Sequence, residues 1–337
     1  MILAQLCFPM SNVIVFSTQM SSYLGDEVAN ALGAERGLYT VNQFADGEDE
    51  HILTEQSLKG LHWKDAVLLG STHDAKNYLE LTDLLSLLRQ ENARSVMAVV
   101  PYLGWSTQER CNVSGQATKA YNRVRGVYRH NPDLTMFVGL HNSDVMQAHD
   151  GRRLVEEIDP RPLVGNYVRE NYSLDKVTLV APDVGRGKAI VRIAKDLKLE
   201  HVILSKDRYG VDQVRVEDMN RNLRGRIAFL YDDMIRTGGT ILAAINQCIA
   251  AEAEKVVVLS THAVLPRNPD PASDPEQRLD RSRVDSVVVT NSHPRSQSIA
   301  SPKFRVLSIA NLITDRLKGF LARSPQNGFA HREDKEA

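Results

Sequence analysis

Along most of the chain, short runs of β-branched and aliphatic residues alternate with stretches whose apolar positions recur every three or four residues. Val13–Phe16 reads as a strand. The helix that follows, from about Ser22, carries Leu24, Val28 and Leu32 on one face and stops at Gly33. Ala66–Leu69, Ser95–Val100 and Met136–Leu140 continue the strand series. Between the first two of these, Leu81, Leu84, Leu85 and Leu88 have the spacing of one buried helical face. The second half repeats this grammar with strands at Val177–Ala181, His201–Leu204, Ile227–Tyr231, Val256–Leu259, Ser286–Val289 and Phe304–Leu307. A helix after Gly239 carries Ile241, Ile245, Cys248 and Ile249 on one side. A final helix, with Ile313, Leu317, Phe320 and Leu321 in one stripe, is expected to pack back onto the body.

Such alternation predicts an α/β fold, a mostly parallel sheet flanked by helices on both faces. Two halves of this kind, joined near residues 150–160, suit a chain of 337 residues. Three segments lack periodicity. Lys206–Arg224 is polar and long enough for a functional lid, Asn268–Arg283 holds three prolines and reads as a surface loop, and 324–337 reads as a frayed tail.

Charge and cysteine content narrow the function. Lys plus Arg total 41 against 42 Asp plus Glu, so nothing in the overall balance points to nucleic acid. Cys7, Cys111 and Cys248 show no metal spacing and fit a reducing compartment. Residues 1–25 carry no charged side chain, but Gln5, Pro9, Ser11, Asn12 and Gln19 interrupt the apolar character and no basic segment precedes it. No apolar run approaches the roughly 18–20 residues of a membrane span. The expectation is a cytoplasmic protein with no membrane partner.

The sharpest chemical feature follows the strand Ile227–Tyr231. It is the string Asp232-Asp233-Met234-Ile235-Arg236-Thr237-Gly238-Gly239-Thr240, which opens an amphipathic helix. Glycines let the backbone approach an anion, and successive amides with the helix N-terminus and the threonine hydroxyls supply donors. Two carboxylates repel a phosphate but accept hydrogen bonds from vicinal hydroxyls. A sugar phosphate, with its hydroxyls beside the acids and its phosphate in the loop, satisfies both halves of the string. A solvated strand-to-helix turn is the plainer alternative for so short a motif.

The string resembles the phosphoribosyl-diphosphate-binding motif shared by type I phosphoribosyltransferases and ribose-phosphate diphosphokinases. Further segments resemble the diphosphokinase family in order: Gln43-Phe44-Ala45-Asp46-Gly47-Glu48, Ser71-Thr72, Val99-Val100-Pro101-Tyr102-Leu103-Gly104-Trp105, Gln108-Glu109-Arg110, Leu140-His141, Ala181-Pro182-Asp183-Val184-Gly185 and Lys206-Asp207-Arg208. The resemblance covers roughly residues 12–323. It implies two phosphoribosyltransferase-like halves: residues 1–155 on the nucleotide side, 156–310 on the ribose-phosphate side, and 311–323 as the helix packing back.

The resemblance also implies roles. Phe44 would stack on adenine while Asp46 and Glu48 contact its polar edge, reaching in from a neighbouring subunit of a homo-oligomer. Gln108, Glu109 and Arg110 would belong to the ATP site. His141 and Asp183 would be the Mg2+-site residues, and Lys206 and Arg208 the catalytic-loop cations. Asp232, Asp233, Arg236, Thr237, Gly238, Gly239 and Thr240 would hold the ribose phosphate. The implied reaction moves the β,γ-diphosphate of ATP to the 1-hydroxyl of ribose 5-phosphate and releases AMP. It relies on positioning, metal and cations rather than a covalent nucleophile.

Two departures from the family pattern stand out. Where the family normally reads Arg-Gln-Asp-Arg-Lys, this chain has Thr107, Gln108, Glu109, Arg110 and Cys111, so two cations are missing on the ATP side. In the phosphate loop the usual Asp is Arg236. An arginine there suggests an acceptor with additional phosphate, such as ADP-ribose. The missing cations suggest instead a non-catalytic regulatory relative. A phosphoribosyltransferase comes third, because the first half resembles a nucleotide-binding domain that those enzymes lack.

Overall fold

The computed structural model describes residues 12–148, 154–204 and 223–323. Lys206, Arg208, most of the expected lid and the tail from 324 onward lie outside the described residues. The first half is a six-stranded sheet in the order β2-β1-β5-β6-β7-β8, every neighbouring pair parallel. It is formed by β1 (Val13–Ser17), β2 (Glu35–Arg36), β5 (Asp65–Leu69), β6 (Ser95–Val100), β7 (Leu134–Val138) and β8 (Leu154–Ile158). The first sheet thus ends at Ile158, just past the expected division at 155.

Parallel strands buried on both faces read as continuous apolar runs, and their alternate side chains build two cores. Ile14, Phe16, Ala66, Leu68, Val96 and Ala98 pack under α3 (Ala75–Gln90) and α4 (Lys119–Arg129). Val13, Val15, Val67, Met97 and Met136 pack under α1 (Ser22–Leu32), whose left-handed C-cap is Gly33. The terminal helix α9 (Ala310–Leu321) joins this second core: Ile313, Leu317 and Leu321 are buried beside Leu24 and Val28, although the helix follows the second half in sequence.

The second sheet, also parallel, runs β10-β9-β11-β12-β13-β14. Its strands are β9 (Val177–Ala181), β10 (Glu200–Ile203), β11 (Ile227–Ile235), β12 (Lys255–Ala263), β13 (Ser286–Thr290) and β14 (Phe304–Leu307). One face is covered by α5 (Arg161–Asn171) and α6 (Gly187–Leu197). The other is covered by α7 (Gly239–Ala250), with Ile241, Ile245 and Cys248 buried and Ile249 half-buried.

The segment expected as a prolyl surface loop, Asn268–Arg283, is partly helical. Asp274 caps α8 (Pro275–Arg281) through the Gln277 amide at 3.0 Å, and Pro275 occupies the first helical position, where a missing N–H costs nothing. Glu276 anchors the helix by pairing with Arg295, both nearly buried.

Outside the sheets, α2 (Glu55–Leu61) follows an antiparallel hairpin of β3 (Tyr39–Gln43) and β4 (Asp49–Leu53). No helix among the described residues is long and apolar enough to cross a membrane.

A buried polar seam joins the halves. His262 on β12 donates from Nε2 to the Gly139 carbonyl of the first half at 2.9 Å, and its Nδ1 accepts the Ser292 hydroxyl at 2.7 Å. Ser71 Oγ donates to the Ser292 carbonyl at 2.8 Å. Tyr102 packs edge-on against both His262 and His293.

Candidate active site

In open parallel sheets, ligands bind beyond the carboxyl ends of the strands. Here both sheets present those ends to one cleft. β11 outruns its pairing with β9, whose register ends at Leu230–Val180, so Asp232 and Asp233 emerge where β9 has already turned away to Asp183. On β11's other edge, β12 runs alongside to Ala263, and Asp232 pairs opposite Ser260. The acidic pair is therefore strand, not loop, because Met234 and Ile235 continue the buried pattern past it. Rigid strand backbone under two carboxylates favours a fixed hydroxyl-binding geometry.

Past Ile235 the chain turns through Arg236, Thr237 and Gly238 into α7. Gly238 has φ +74°, a left-handed conformation costly to any residue with a Cβ, and its carbonyl accepts the Leu242 amide at 2.8 Å. Gly239 and Thr240 open the helix, where unpaired amides and the helix dipole favour an anion. Arg278 of α8 braces the turn by donating to the Thr237 carbonyl at 3.0 Å.

A cavity of about 570 Å3 gathers Asp183, Asp232, Asp233 and Arg236 through Thr240 from the second half with His141 and Thr107 from the first. His141 lies just past β7, and its Nδ1 is 2.7 Å from Asp233 Oδ2. Arg186, at the start of α6, bridges the acids with Nε 3.0 Å from Asp232 Oδ1 and Nη2 3.0 Å from Asp233 Oδ1. Arg186 Nη2 also lies 2.9 Å from His141 Nδ1. Arginine has no lone pair to offer and a carboxylate has no proton. The consistent arrangement therefore has His141 Nδ1–H donating to Asp233, with the guanidinium held by the two carboxylates.

Electrostatics splits the pair. Burial and the neighbouring charge of Asp233 push the Asp232 carboxyl up. Burial also pushes Asp233 upward, but the His141 hydrogen bond and Arg186 overcome it and bring that group down. Asp233 is thus the more firmly ionised member of the pair.

Asp183 accepts the Arg186 backbone amide at 3.2 Å through Oδ1, which leaves its other oxygen for a cation. Its chemistry fits magnesium, which prefers oxygen ligands. His141 is a poorer direct ligand because magnesium prefers oxygen, although its Nδ1–H on Asp233 leaves the Nε2 lone pair available. No cluster of three or more His, Cys, Asp or Glu side chains with metal-holding geometry occurs among the described residues.

The other expected ATP residues sit apart from this cavity. Phe44, Asp46 and Glu48 form the exposed tip of the β3–β4 hairpin, closed by the Phe44 amide on the Glu48 carbonyl at 2.8 Å. Phe44 itself is 53% exposed, with no ring partner among the described residues. Gln108, Glu109 and Arg110 follow Thr107 on the loop after β6, with Arg110 projecting into solvent. That loop is pinned at its base by Gly104, where a Cβ would lie 1.9 Å from the Thr72 carbonyl, so only glycine fits. Thr107 from this loop meets Arg236, Oγ1 to Nη1, at 3.4 Å. Arg186 is not legible in the sequence, because a single arginine at a helix start carries no periodic or motif signal.

Comparison with known proteins agrees with this geometry. A family model described as the N-terminal domain of ribose phosphate pyrophosphokinase matches residues 13–122. A second, the phosphoribosyl synthetase-associated domain, matches residues 215–324. A ribose-phosphate pyrophosphokinase of Streptomyces coelicolor is 32% identical over 306 residues, covering 89% of this chain and 90% of the relative. One from Bacillus subtilis is 27% identical, covering 91% and 93%. A solved phosphoribosylpyrophosphate synthetase from Mycobacterium smegmatis superposes with a TM-score of 0.80 at 26% identity, covering 93% of this chain and 99% of that one.

Proposed function

The chain belongs to the ribose-phosphate pyrophosphokinase family, and from that premise we propose that it moves the β,γ-diphosphate of ATP to the anomeric 1-hydroxyl of ribose 5-phosphate. In that reaction the hydroxyl oxygen bonds to the β-phosphorus. The bond from that phosphorus to the α,β-bridging oxygen breaks, and AMP leaves with the oxygen and its electron pair. The hydroxyl proton is lost to solvent.

One observation carries this reading: a left-handed Gly238 turn entering a helix N-terminus shares a single cavity with the carboxylates Asp232 and Asp233. The loop amides and the hydroxyls of Thr237 and Thr240 would take the 5-phosphate. The carboxylates would take the vicinal 2- and 3-hydroxyls, which fixes the 1-hydroxyl toward the first half. Asp183 would hold Mg2+ with the donor's phosphates, and His141 would stay on Asp233. The metal supplies neutralisation of phosphate charge when bound. Lys206 and Arg208, assigned from the sequence alone, would close over the transferring group, adding positive charge and excluding water.

Phe44 would stack on the purine of ATP bound at a neighbouring subunit, with Asp46 and Glu48 on its polar edge. Its exposure at a hairpin tip supports a role outside its own fold. The working protein would then be a homo-oligomer, placed in the cytoplasm with its nucleotide substrate. The division into halves at residue 155 is proposed on the same footing.

A second reading has ADP-ribose as acceptor, with Arg236 binding the additional phosphate. It is supported by the exposure of Arg236 on the cavity wall, with no carboxylate partner among the described residues. AMP release with each sugar phosphate offered alone tests the two readings. Absence of AMP with both would favour a non-catalytic regulatory relative.

A further inference from the structure

Trp105 has φ +58°, in the left-handed region that a bulky side chain rarely enters. It lies on the loop after β6, two positions before Thr107, and the Gln108 amide closes the turn onto its carbonyl at 2.9 Å. Backbone held in so costly a conformation persists only where its surroundings over-determine it, and such places gather at functional sites. Here the surroundings are two helices of the first half.

Arg123 on α4 and Tyr78 on α3 clamp the Trp105 side chain. The guanidinium carbon is 4.5 Å from the Trp105 ring centroid and 4.7 Å from that of Tyr78. The two rings stand nearly perpendicular, at 88° with 6.5 Å between centroids, and the cation sits in the corner they make. Its Nε is buried without a hydrogen-bond partner, which leaves attraction to the ring faces as compensation. Tyr78 is fixed in turn. Its hydroxyl donates to the Arg123 carbonyl at 3.3 Å and fills the space left by Gly126, where a Cβ would come within 1.7 Å of it.

A further contact ties the same loop to the same helix. The Ala120 amide, in the first turn of α4, donates to the Gln108 carbonyl at 3.4 Å, so the loop satisfies a helix end that no side chain caps. The turn is thus fastened to α4 at both ends, at Trp105 by the cation and at Gln108 by the amide. Between those points lies Thr107, which lines the phosphate-loop cavity.

We propose that Arg123 is a positioning residue for the nucleotide: by holding Trp105 it keeps the turn from Trp105 to Gln108 in the conformation that receives ATP, and so sets ATP affinity without touching ATP. This rests on the reading of the loop after β6 as part of the ATP site. Without the clamp the turn relaxes out of its left-handed conformation, and apparent affinity falls with the fraction of molecules that remain competent.

Trp63→Phe removes the one other tryptophan, an exposed residue outside the site, and serves as the background for Arg123→Met and Arg123→Lys in the full-length chain. Calorimetry measures binding of α,β-methylene-ATP with Mg2+, an analogue that cannot release AMP, and time-resolved fluorescence anisotropy follows Trp105. In the background protein Trp105 should be immobile before any nucleotide is added. Arg123→Met should weaken analogue binding at least fivefold and give Trp105 a nanosecond component of local motion. Arg123→Lys keeps a cation for the rings and should recover at least half of both changes, a rescue that separates positioning from a general loss of stability. Unchanged analogue binding by a folded Arg123→Met, or a mobile Trp105 in the background protein, overturns the proposal alone. The second of these measurements needs no Arg123 variant to fold. Failure of the background protein itself to bind the analogue overturns the ATP-site reading of the loop and the proposal with it.

Discussion

Thr107 Oγ1 and Arg236 Nη1 meet at 3.4 Å across the cleft between the two sheets. These are two positions at which the sequence departs from its family's usual pattern, a cation missing on the loop after β6 and an arginine in place of an acid in the phosphate loop. Their side chains reach the same space, so a positive charge there can be carried from either half.

Substituting Arg236 by Ala should therefore lower kcat/KM for ATP by about 10–100-fold, the scale of one charge-assisted contact to phosphate. Adding Thr107→Arg to that variant should recover most of the loss. Initial rates of AMP formation measure both. If the loss appears only in KM for the acceptor, Arg236 serves the acceptor's phosphate and the ADP-ribose reading gains.

Gly238→Ala forces a side chain into φ +74°. A cost of about 1–2 kcal/mol in stability is expected, together with a rise of tenfold or more in KM for the sugar phosphate as the loop amides turn away. Urea denaturation and acceptor kinetics test the two parts separately. Wild-type KM in the variant would remove the loop from the phosphate's path.

The seam between the halves should make the protein acid-sensitive. Burial lowers His262, and burial with the nearby His73 brings His293 down to about 3. Both are neutral in the fold, while the unfolded chain takes protons below about 6.5. Stability is therefore complete above that pH and falls as pH drops from about 6.5 toward 3, by about 1.4 kcal/mol per pH unit for each histidine within its window. Urea midpoints at pH 7.5 and 5.5 should show a smaller drop for His293→Gln than for wild type. Equal drops would show that the seam does not govern acid loss.

Phe44→Ala should leave thermal stability within about 0.5 kcal/mol of wild type, because the ring is exposed in its own chain. KM for ATP should rise about 3–10-fold, the value of an aromatic stack. Activity should fall on dilution to monomers. Full activity in a monomer would contradict the assignment of Phe44 to a neighbouring site.

Much of this architecture is legible in the sequence for a physical reason. Strands buried on both faces, such as Val177–Ala181 and Ser95–Val100, are short and nearly continuous apolar runs, and α3 shows its buried leucines at helical spacing. The hairpin β3–β4 is not legible, because its strands are half-exposed and mix Thr, Asn, Gln and Asp with single apolar positions. The sequence places the strand end at Tyr231, because two adjacent aspartates look like a turn, whereas pairing with β12 carries the strand on to Ile235. In Asn268–Arg283, Pro275 marks a helix start, a signal that three prolines in one segment obscure. Asp232, Asp233 and the glycine–threonine turn could be read because they are contiguous. Arg186 could not, because its role arises only where β9, β11 and the end of β7 converge.

The most direct test follows phosphorus NMR and mass spectra of the purified protein with MgATP, ribose 5-phosphate and ADP-ribose being offered in separate tubes. The account predicts AMP and a 1-diphosphate on ribose 5-phosphate, with formation abolished by Asp233→Asn. Diphosphate on ADP-ribose alone would move the acceptor to the larger molecule while keeping the chemistry. No AMP in either tube would contradict the account at its centre.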